Sequence, residues 1–179
     1  MTGNVTWIFG YGSLIWRPDF PFVQKKPAIV LGWARRFWQG SPDHRGTPEC
    51  PGRVVTMLRW PSKYCTGIAY AVAEEDSEEV LAQLDMREVA GYERIEVPVR
   101  VSREALPFAK ALTFVATTSN DNFLGMASED EMVAQIAQAH GSSGSNVEYV
   151  LRLADALQAL GATESDSVFG LAARLASDE

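Results

Sequence analysis

The segment WIFGYGSLIW, Trp7 to Trp16, is the first stretch whose residue types suggest chemistry: two glycines flank a tyrosine, and a serine follows. It begins like the dinucleotide-binding pattern G-x-G-x-x-G, but Ile15 occupies the third glycine position. Pro18 and Pro21 also exclude the helix that would face a pyrophosphate. A serine nucleophile elbow is excluded as well, because that motif needs glycine where Ile15 stands. The chemistry that remains lies in the backbone.

A strand that ends in a sharp turn here would leave the backbone N–H groups of Gly12, Ser13 and Leu14 without strand partners. Converging N–H groups bind anions, so this turn is a candidate site for a carboxylate or for an oxyanion formed during acyl transfer. The alternative is that Gly10 and Gly12 only permit a tight turn against the core. The residues alone leave both interpretations open.

Glu88 is the candidate acid/base, because Val80, Leu84 and Glu88 recur at i, i+4 and i+8 in LAQLDMREVAGY. If the helix extends that far, its apolar face carries a carboxylate, and burial would raise the pKa of Glu88 towards the range of a general base. Two alternatives stay open. Glu88 pairs with Arg87 or Arg94 as a structural carboxylate, or the helix ends earlier and leaves it in solvent.

Other reactive residue types give weaker indications. His44 stands in a turn-rich Asp-His-Arg sequence, which favours a loop-bracing role. His140 follows an apolar-periodic segment and is typical of a helix C-terminus. Cys50 stands between a glutamate and a proline, a setting that favours no thiolate.

Composition limits the class of protein. With 179 residues, of which 46% are hydrophobic, the chain can form a core, and one domain spanning 1–179 is expected. The net charge of -7 without a basic block argues against nucleic-acid binding. Short apolar runs argue against a membrane span and favour a soluble, cytoplasmic protein that binds small molecules. With two cysteines and no ligand motif, neither a metal nor a cofactor is expected, and the oligomeric state is not determined.

The order of predicted elements indicates an α+β fold, because strands come first and helices later without β-α-β alternation. One helix, residues 76–87, interrupts the strands, and the chain from Gly40 to Gly52 has loop composition. The last third is predicted to be helical, with capping boxes starting at Ser128 and Ser145 and a final helix from Val168 to Leu175. The six predicted strand runs are VTWIFGYG, PAIVLGWARRFW, RVVTMLRW, TGIAYAVA, RIEVPVRV and AKALTFVA.

Four ordered segments make the chain resemble the ChaC-type γ-glutamylcyclotransferases, the glutathione-specific branch of the γ-glutamylcyclotransferase-like fold. They are FGYGSLIW, RRFWQGSPDHRGTPECPGRVVTML, LDMREVAGY and SGSNVEYVLRL. The resemblance implies an α+β domain with a mixed or antiparallel sheet, or a small barrel, of about six to seven strands with packed helices. It also implies cleavage of glutathione to 5-oxoproline and Cys-Gly without a cofactor.

The resemblance further implies roles for single residues. Glu88 would be the catalytic acid/base, and the residues expected to bind substrate are Gly10, Tyr11, Gly12, Ser13, Leu14, Ile15, Arg35 and Tyr149. Val89 and Ala90 stand where the family often has Lys or Gly, a departure expected to affect substrate preference more than reaction type. The alternatives are a cyclotransferase for other γ-glutamyl amino acids or γ-glutamylamines, a non-catalytic γ-glutamyl-binding module, or a hydrolase using Ser13 or Cys50.

Overall fold

The strands form where β-branched and aromatic residues cluster. The computed structural model describes residues 4–87, 91–164 and 166–177. Its strands are β1 Val5–Gly10, β2 Gln24–Ser41, β3 Gly52–Ala73, β4 Glu93–Val99, β5 Ala109–Val115, β6 His140–Gly141 and β7 Gly144–Ser145. Its α-helices are α1 Glu74–Arg87, α2 Glu129–Gln138, α3 Asn146–Ala159 and α4 Asp166–Ser177. The predicted α+β class is confirmed.

Five strands form the main sheet in the order β2-β3-β1-β5-β4, and β6 pairs with β7 as a separate hairpin. The sheet is mixed, because β1 runs antiparallel to β3 and parallel to β5. One isolated pair of hydrogen bonds joins Ile29 of β2 to Arg100, just after β4. A second isolated bridge joins Gln39 of β2 to Phe123. In the described ranges no continuous strand pairing joins the two edges of the sheet, so it is not a closed barrel.

Two of the predicted strand runs, 53–60 and 66–73, belong to the single strand β3. Pro61 lies between them in an exposed stretch where the pairing with β2 is irregular. Proline has no N–H to donate and is tolerated at such bulges, so it does not end the strand. Gly32, with a positive φ of 80°, lies opposite this stretch on β2. Both strands therefore continue past this bulge and form one long β2–β3 ribbon.

The predicted helices form, with small changes at their ends. Helix α1 begins with three acidic residues and buries Val80 and Leu84, as predicted. The capping box of α2 is complete at Ser128. Ser145 caps α3 by accepting the backbone N–H of Glu148. The capping box predicted there is not completed, because the Glu148 carboxylate accepts hydrogen bonds from two arginines. No helix in the described part of the chain is long and apolar enough to cross a membrane.

Candidate active site

A cavity of about 390 Å³ opens where β1 ends. The turn after β1, the loop after β2 and the last turns of α1 all contribute to its wall, with two residues each from β3 and β5 and one from α3. Its wall includes Gly10, Tyr11, Gly12, Ser13, Leu14, Arg17, Asp19, Asp43, His44, Arg45, Val55, Leu84, Arg87, Tyr92, Phe114, Ser143 and Tyr149. Of the predicted binding residues, Ile15 and Arg35 are not part of this wall.

Both glycines stand at close approaches, Gly10 within the turn and Gly12 against β3 and α3. A Cβ on Gly10 would lie 2.6 Å from the Cβ of Leu14, a distance that side chains do not tolerate. A Cβ on Gly12 would lie 3.2 Å from Val55 Cγ2 and 3.3 Å from the hydroxyl of Tyr149. Gly10 therefore lets the turn fold back on itself, and Gly12 lets the turn approach Tyr149 along the cavity wall.

Buried side chains hold the carbonyl groups of this turn. Arg35 donates from Nε to the carbonyl of Tyr11 at 2.9 Å, and Tyr70 donates from its hydroxyl to the carbonyl of Leu14 at 2.7 Å. Burial raises the pKa of Tyr70 to about 12, so this hydroxyl stays protonated and keeps donating. The turn is thus fixed by groups outside it.

Three backbone N–H groups of the same turn make no hydrogen bond within the described ranges. Residues Gly12, Ser13 and Leu14 line the cavity, and within the described ranges their backbone N–H groups have no acceptor. Buried backbone donors are normally paired, so a row of unpaired donors on a cavity wall is suited to a bound anion. This geometry supports the anion-site interpretation of the turn, alongside the steric need for glycine.

Arg35 and Ile15 lie outside the cavity wall. The guanidinium of Arg35 is buried, donates to the carbonyl of Thr66 as well as that of Tyr11, and lies 3.5 Å from Glu164. Ile15 is buried within the short 3-10 turn Ser13–Ile15. Arg35 therefore contacts the turn from the core and does not line the cavity. Its position in a predicted strand did not indicate on which side of the turn it would lie.

Tyr149 reaches the cavity because the start of α3 is anchored to β3. The buried side chain of Asn146 exchanges two hydrogen bonds with the backbone of Arg53, at 2.6 and 2.8 Å. One turn later the hydroxyl of Tyr149 accepts the N–H of Val55 at 3.3 Å. Tyr11, the other predicted tyrosine, also lines the cavity and donates to the carbonyl of Phe114 at 2.6 Å.

Arg87 is a wall residue that the sequence reasoning did not select. Its Nη2 donates to Ser13 Oγ at 2.8 Å, and its Nη1 lies 3.7 Å from Asp19 Oδ2. The last residue of α1 is thereby tied to the turn. The sequence did contain an indication of this role, because Arg87 directly precedes Glu88 at the edge of the apolar face of the predicted helix.

Glu88, Val89 and Ala90 lie outside the described residues. The chain on both sides borders the cavity: Leu84 and Arg87 precede the gap, and Tyr92 follows it. Leu84 is buried, as the periodicity predicted.

The loop after β2 is fixed by the β6–β7 hairpin. The carbonyls of Asp43 and His44 accept the N–H groups of Ser142 and Ser143, at 3.0 and 2.9 Å. The His44 ring also hydrogen-bonds Ser143 Oγ at 2.9 Å through Nδ1, which agrees with a bracing role. The hairpin thus holds the neighbouring Arg45 at the cavity.

Comparison with known proteins identifies the family. The family model described as "ChaC-like protein" matches residues 6–176. The chain belongs to this ChaC-like family. The match extends over the turn, the loop after β2 and helix α3, so every wall of the cavity lies within the family region.

Family members of known name are similar over most of the chain. Human glutathione-specific γ-glutamylcyclotransferase 1 is 44% identical over 162 residues, covering 89% of this chain and 73% of the human protein. γ-Glutamylcyclotransferase 2-3 of Arabidopsis thaliana is 40% identical, covering 87% of this chain and 81% of the plant protein. The glutathione-specific enzyme of Saccharomyces cerevisiae is 34% identical, covering 84% of each.

Solved structures agree with the fold. The crystal structure of a yeast γ-glutamyl cyclotransferase specific to glutathione superimposes with a TM-score of 0.87 at 28% identity, covering 98% of this chain and 97% of the yeast chain. A structure named γ-glutamyl cyclotransferase, 16% identical, gives a TM-score of 0.57 over 92% of this chain and 85% of its own, and shows the same fold.

The described residues contain no group of three or more His, Cys, Asp or Glu side chains placed to hold a metal ion.

Proposed function

We propose that this protein is a glutathione-specific γ-glutamylcyclotransferase, which converts glutathione to 5-oxoproline and Cys-Gly. The observation that carries the proposal is the row of backbone donors at Gly12, Ser13 and Leu14, fixed on the wall of a cavity in a ChaC-like chain. Relatives named for this activity support the choice of substrate.

The reaction is intramolecular. The α-amine of the γ-glutamyl group attacks the γ-carbonyl, forms the ring C–N bond and breaks the amide C–N bond to Cys-Gly. The attacking ammonium loses a proton first, the ring nitrogen loses another, and the departing peptide nitrogen receives one. Only proton transfers and one acyl transfer occur, so the reaction uses no cofactor and no covalent enzyme intermediate.

The turn holds the substrate and stabilises charge. Its N–H groups would donate to the α-carboxylate and to the oxyanion that develops on the γ-carbonyl, without any side chain changing its charge. Because ring closure depends on orientation, a cavity that holds the amine over the carbonyl contributes much of the rate. Tyr149 supplies a polar wall beside Gly12, while Arg35 and Arg87 keep the turn in position.

Glu88 is proposed as the acid/base that moves these protons. Support comes from the neighbouring sequence, because Leu84, Arg87 and Tyr92 border the cavity on either side of residue 88. A single carboxylate within hydrogen-bond reach of the amine can take its proton and later donate one to the leaving nitrogen.

Replacing Glu88 by glutamine tests this role, because the change keeps the shape and removes the base. We expect kcat to fall about 10²- to 10⁴-fold with the fold retained. Circular dichroism confirms folding, and 5-oxoproline release measures the rate. A folded Glu88→Gln variant with the wild-type rate would remove Glu88 from the mechanism.

The protein is proposed to act in the cytoplasm on a small-molecule substrate. Cys50 and Cys65 are free thiols, a state typical of reducing compartments. Burial raises the pKa of Cys65 to about 11, which keeps this thiol protonated and unreactive and gives it no part in the reaction.

Product analysis tests the overall assignment. Purified protein is incubated with glutathione, γ-glutamyl-alanine and a γ-glutamylamine, and 5-oxoproline and the released amine are quantified. We expect equal amounts of 5-oxoproline and Cys-Gly from glutathione and little product from the others. Cyclisation of γ-glutamyl-alanine but not glutathione would overturn the substrate while keeping the reaction; ligand binding without turnover would indicate a binding module.

A further inference from the structure

Arg45 is an ordered, nearly buried cation on the cavity wall. Its side chain is 9% exposed, and Nη1 donates to the carbonyl of Ser145 at 3.0 Å and to Glu148 Oε2 at 3.1 Å. The hydrogen bond from Arg45 lowers the pKa of Glu148, which keeps this carboxylate charged. Glu148 also pairs with Arg152 at 2.8 Å, so one negative charge is shared between two guanidinium groups. The cluster carries a net positive charge.

The rest of the Arg45 guanidinium is available to a ligand. Both protein contacts use Nη1, and among the described residues no acceptor is found for Nε or Nη2. Nε and Nη2 together form the side-on edge that binds a carboxylate with two parallel hydrogen bonds. The guanidinium also lies over the ring of Tyr149, with 5.6 Å between its central carbon and the ring centroid, which limits its movement.

The other described arginines of the wall are less suited to this role. Both terminal nitrogens of Arg87 are engaged, with Ser13 on one side and with Asp19 and the carbonyl of Arg17 on the other. Arg17 is 59% exposed and pairs with Asp19 at 2.7 Å. A partly desolvated, pre-oriented guanidinium contributes more to carboxylate binding than a solvated one.

We propose that Arg45 binds the C-terminal carboxylate of the peptide attached to the γ-glutamyl group, and thereby selects glutathione over γ-glutamyl compounds that lack this carboxylate. The inference rests on the proposed function. Glutathione carries two carboxylates, and the turn provides donors for the γ-glutamyl end. Arg45 belongs to a different wall segment and supplies a site for the second anion. A γ-glutamylamine has no second carboxylate, and in a γ-glutamyl amino acid it lies about one residue, roughly 3.5 Å, nearer.

A non-reacting pair of ligands tests this directly. Glutaryl-Cys-Gly is glutathione without its α-amine, so it keeps both carboxylates but cannot cyclise. Its C-terminal amide lacks only the carboxylate assigned to Arg45. Calorimetry gives the dissociation constants of both ligands for wild type, Arg45→Met and Arg45→Lys. Arg152→Met is the matched control, because Arg152 pairs with the same Glu148 but does not line the cavity.

We expect wild type to bind the acid about 10- to 100-fold more tightly than the amide, as for a hydrogen-bonded ion pair. Arg45→Met should bring this ratio close to one, Arg45→Lys should keep part of it, and Arg152→Met should leave it unchanged. A wild-type ratio near one would overturn the proposal without any variant. So would an Arg45→Met variant that binds both ligands more weakly by the same factor, because Arg45 would then contact the α-carboxylate or act structurally.

The test separates this inference from the proposed function, since binding does not require turnover. An Arg45-dependent preference for the acid, with no 5-oxoproline from glutathione, would support the binding site and overturn the catalytic assignment. Turnover of glutathione with equal binding of the acid and the amide would support the catalytic assignment and overturn the Arg45 binding site.

Discussion

The turn at residues 10–16 and the loop at residues 41–45 line the same cavity with different kinds of group. The turn offers backbone N–H groups, whereas the loop offers the side-chain cation of Arg45. Backbone donors cannot change charge and are kept in every substitution except one to proline, so they suit the γ-glutamyl group that all such substrates share. A side chain can change without altering the fold, and so it suits the part of the substrate that varies.

The two segments are also held differently. Arg35 and Tyr70 hold carbonyls of the turn from the core. The loop is held by backbone hydrogen bonds from Ser142 and Ser143. The turn should therefore be sensitive to changes in its backbone or its buried supports and tolerant of changes in its own polar side chain.

Gly12→Ala should have the largest effect of the changes considered for the turn. The new Cβ would lie 3.2 Å from Val55 Cγ2 and 3.3 Å from the Tyr149 hydroxyl, so the turn or these neighbours must shift by a few tenths of an ångström. Because a misplacement of about 1 Å can cost about 10²-fold in rate, we expect a loss in kcat/KM of up to about that size. The measurement is kcat/KM for 5-oxoproline release from glutathione. Gly170→Ala in α4 is the control; away from the cavity, it should leave kcat/KM unchanged. A folded Gly12→Ala variant with wild-type kcat/KM would refute the backbone role.

Tyr70→Phe should have a smaller effect, mainly on stability. The variant leaves the carbonyls of Leu14 and Ile15 without this donor, at a cost of about 1–3 kcal/mol in the free energy of unfolding. Urea unfolding measures it. Tyr64→Phe is the control, because its hydroxyl hydrogen-bonds with Thr163 at the surface, and the change should stay within about 0.5 kcal/mol.

The stabilising effect of Tyr70 should also depend on pH. Burial raises the pKa of Tyr70 from its ordinary value of 10.0 to about 12 in the folded protein, so above about pH 10 the unfolded chain loses this proton first and stability falls. The difference in the free energy of unfolding between wild type and Tyr70→Phe should therefore decrease as the pH rises from about 8 to about 11. A constant difference over that range would mean that the tyrosine titrates alike in both states.

Ser13→Ala should have the smallest effect, because the proposed role of Ser13 lies in its backbone N–H. Arg87 loses one acceptor, which corresponds to about a 2- to 10-fold loss in kcat/KM. Steady-state kinetics with glutathione measure it. A loss of several thousandfold in kcat/KM would instead indicate a serine nucleophile. The side chain of Ser13, and not its backbone N–H, would then be the functional group.

The sequence predicted features that depend on local patterns. The turn after β1, the apolar face of α1 and the complete cap at Ser128 follow from residue types within a few positions. Glu88 stays a prediction, since it lies outside the described residues.

The remaining features depend on contacts between residues that are far apart in the sequence, and local patterns do not predict such contacts. The side of the turn that Arg35 occupies depends on the register of β2 against β3, which includes bulges. The hydrogen bonds between His44 and Ser143 join residues about one hundred positions apart, and no local pattern indicates them. The predicted runs RVVTMLRW and TGIAYAVA form one strand because a bulge against β2 accommodates Pro61 between them.

Isotope labelling distinguishes intramolecular cyclisation of glutathione from its hydrolysis. Wild-type protein is incubated with glutathione in water labelled with heavy oxygen, and the products are analysed by mass spectrometry. Cyclisation keeps the original γ-carbonyl oxygen, so we predict unlabelled 5-oxoproline and an equal amount of Cys-Gly. Release of glutamate carrying one heavy oxygen would show hydrolysis and contradict the account.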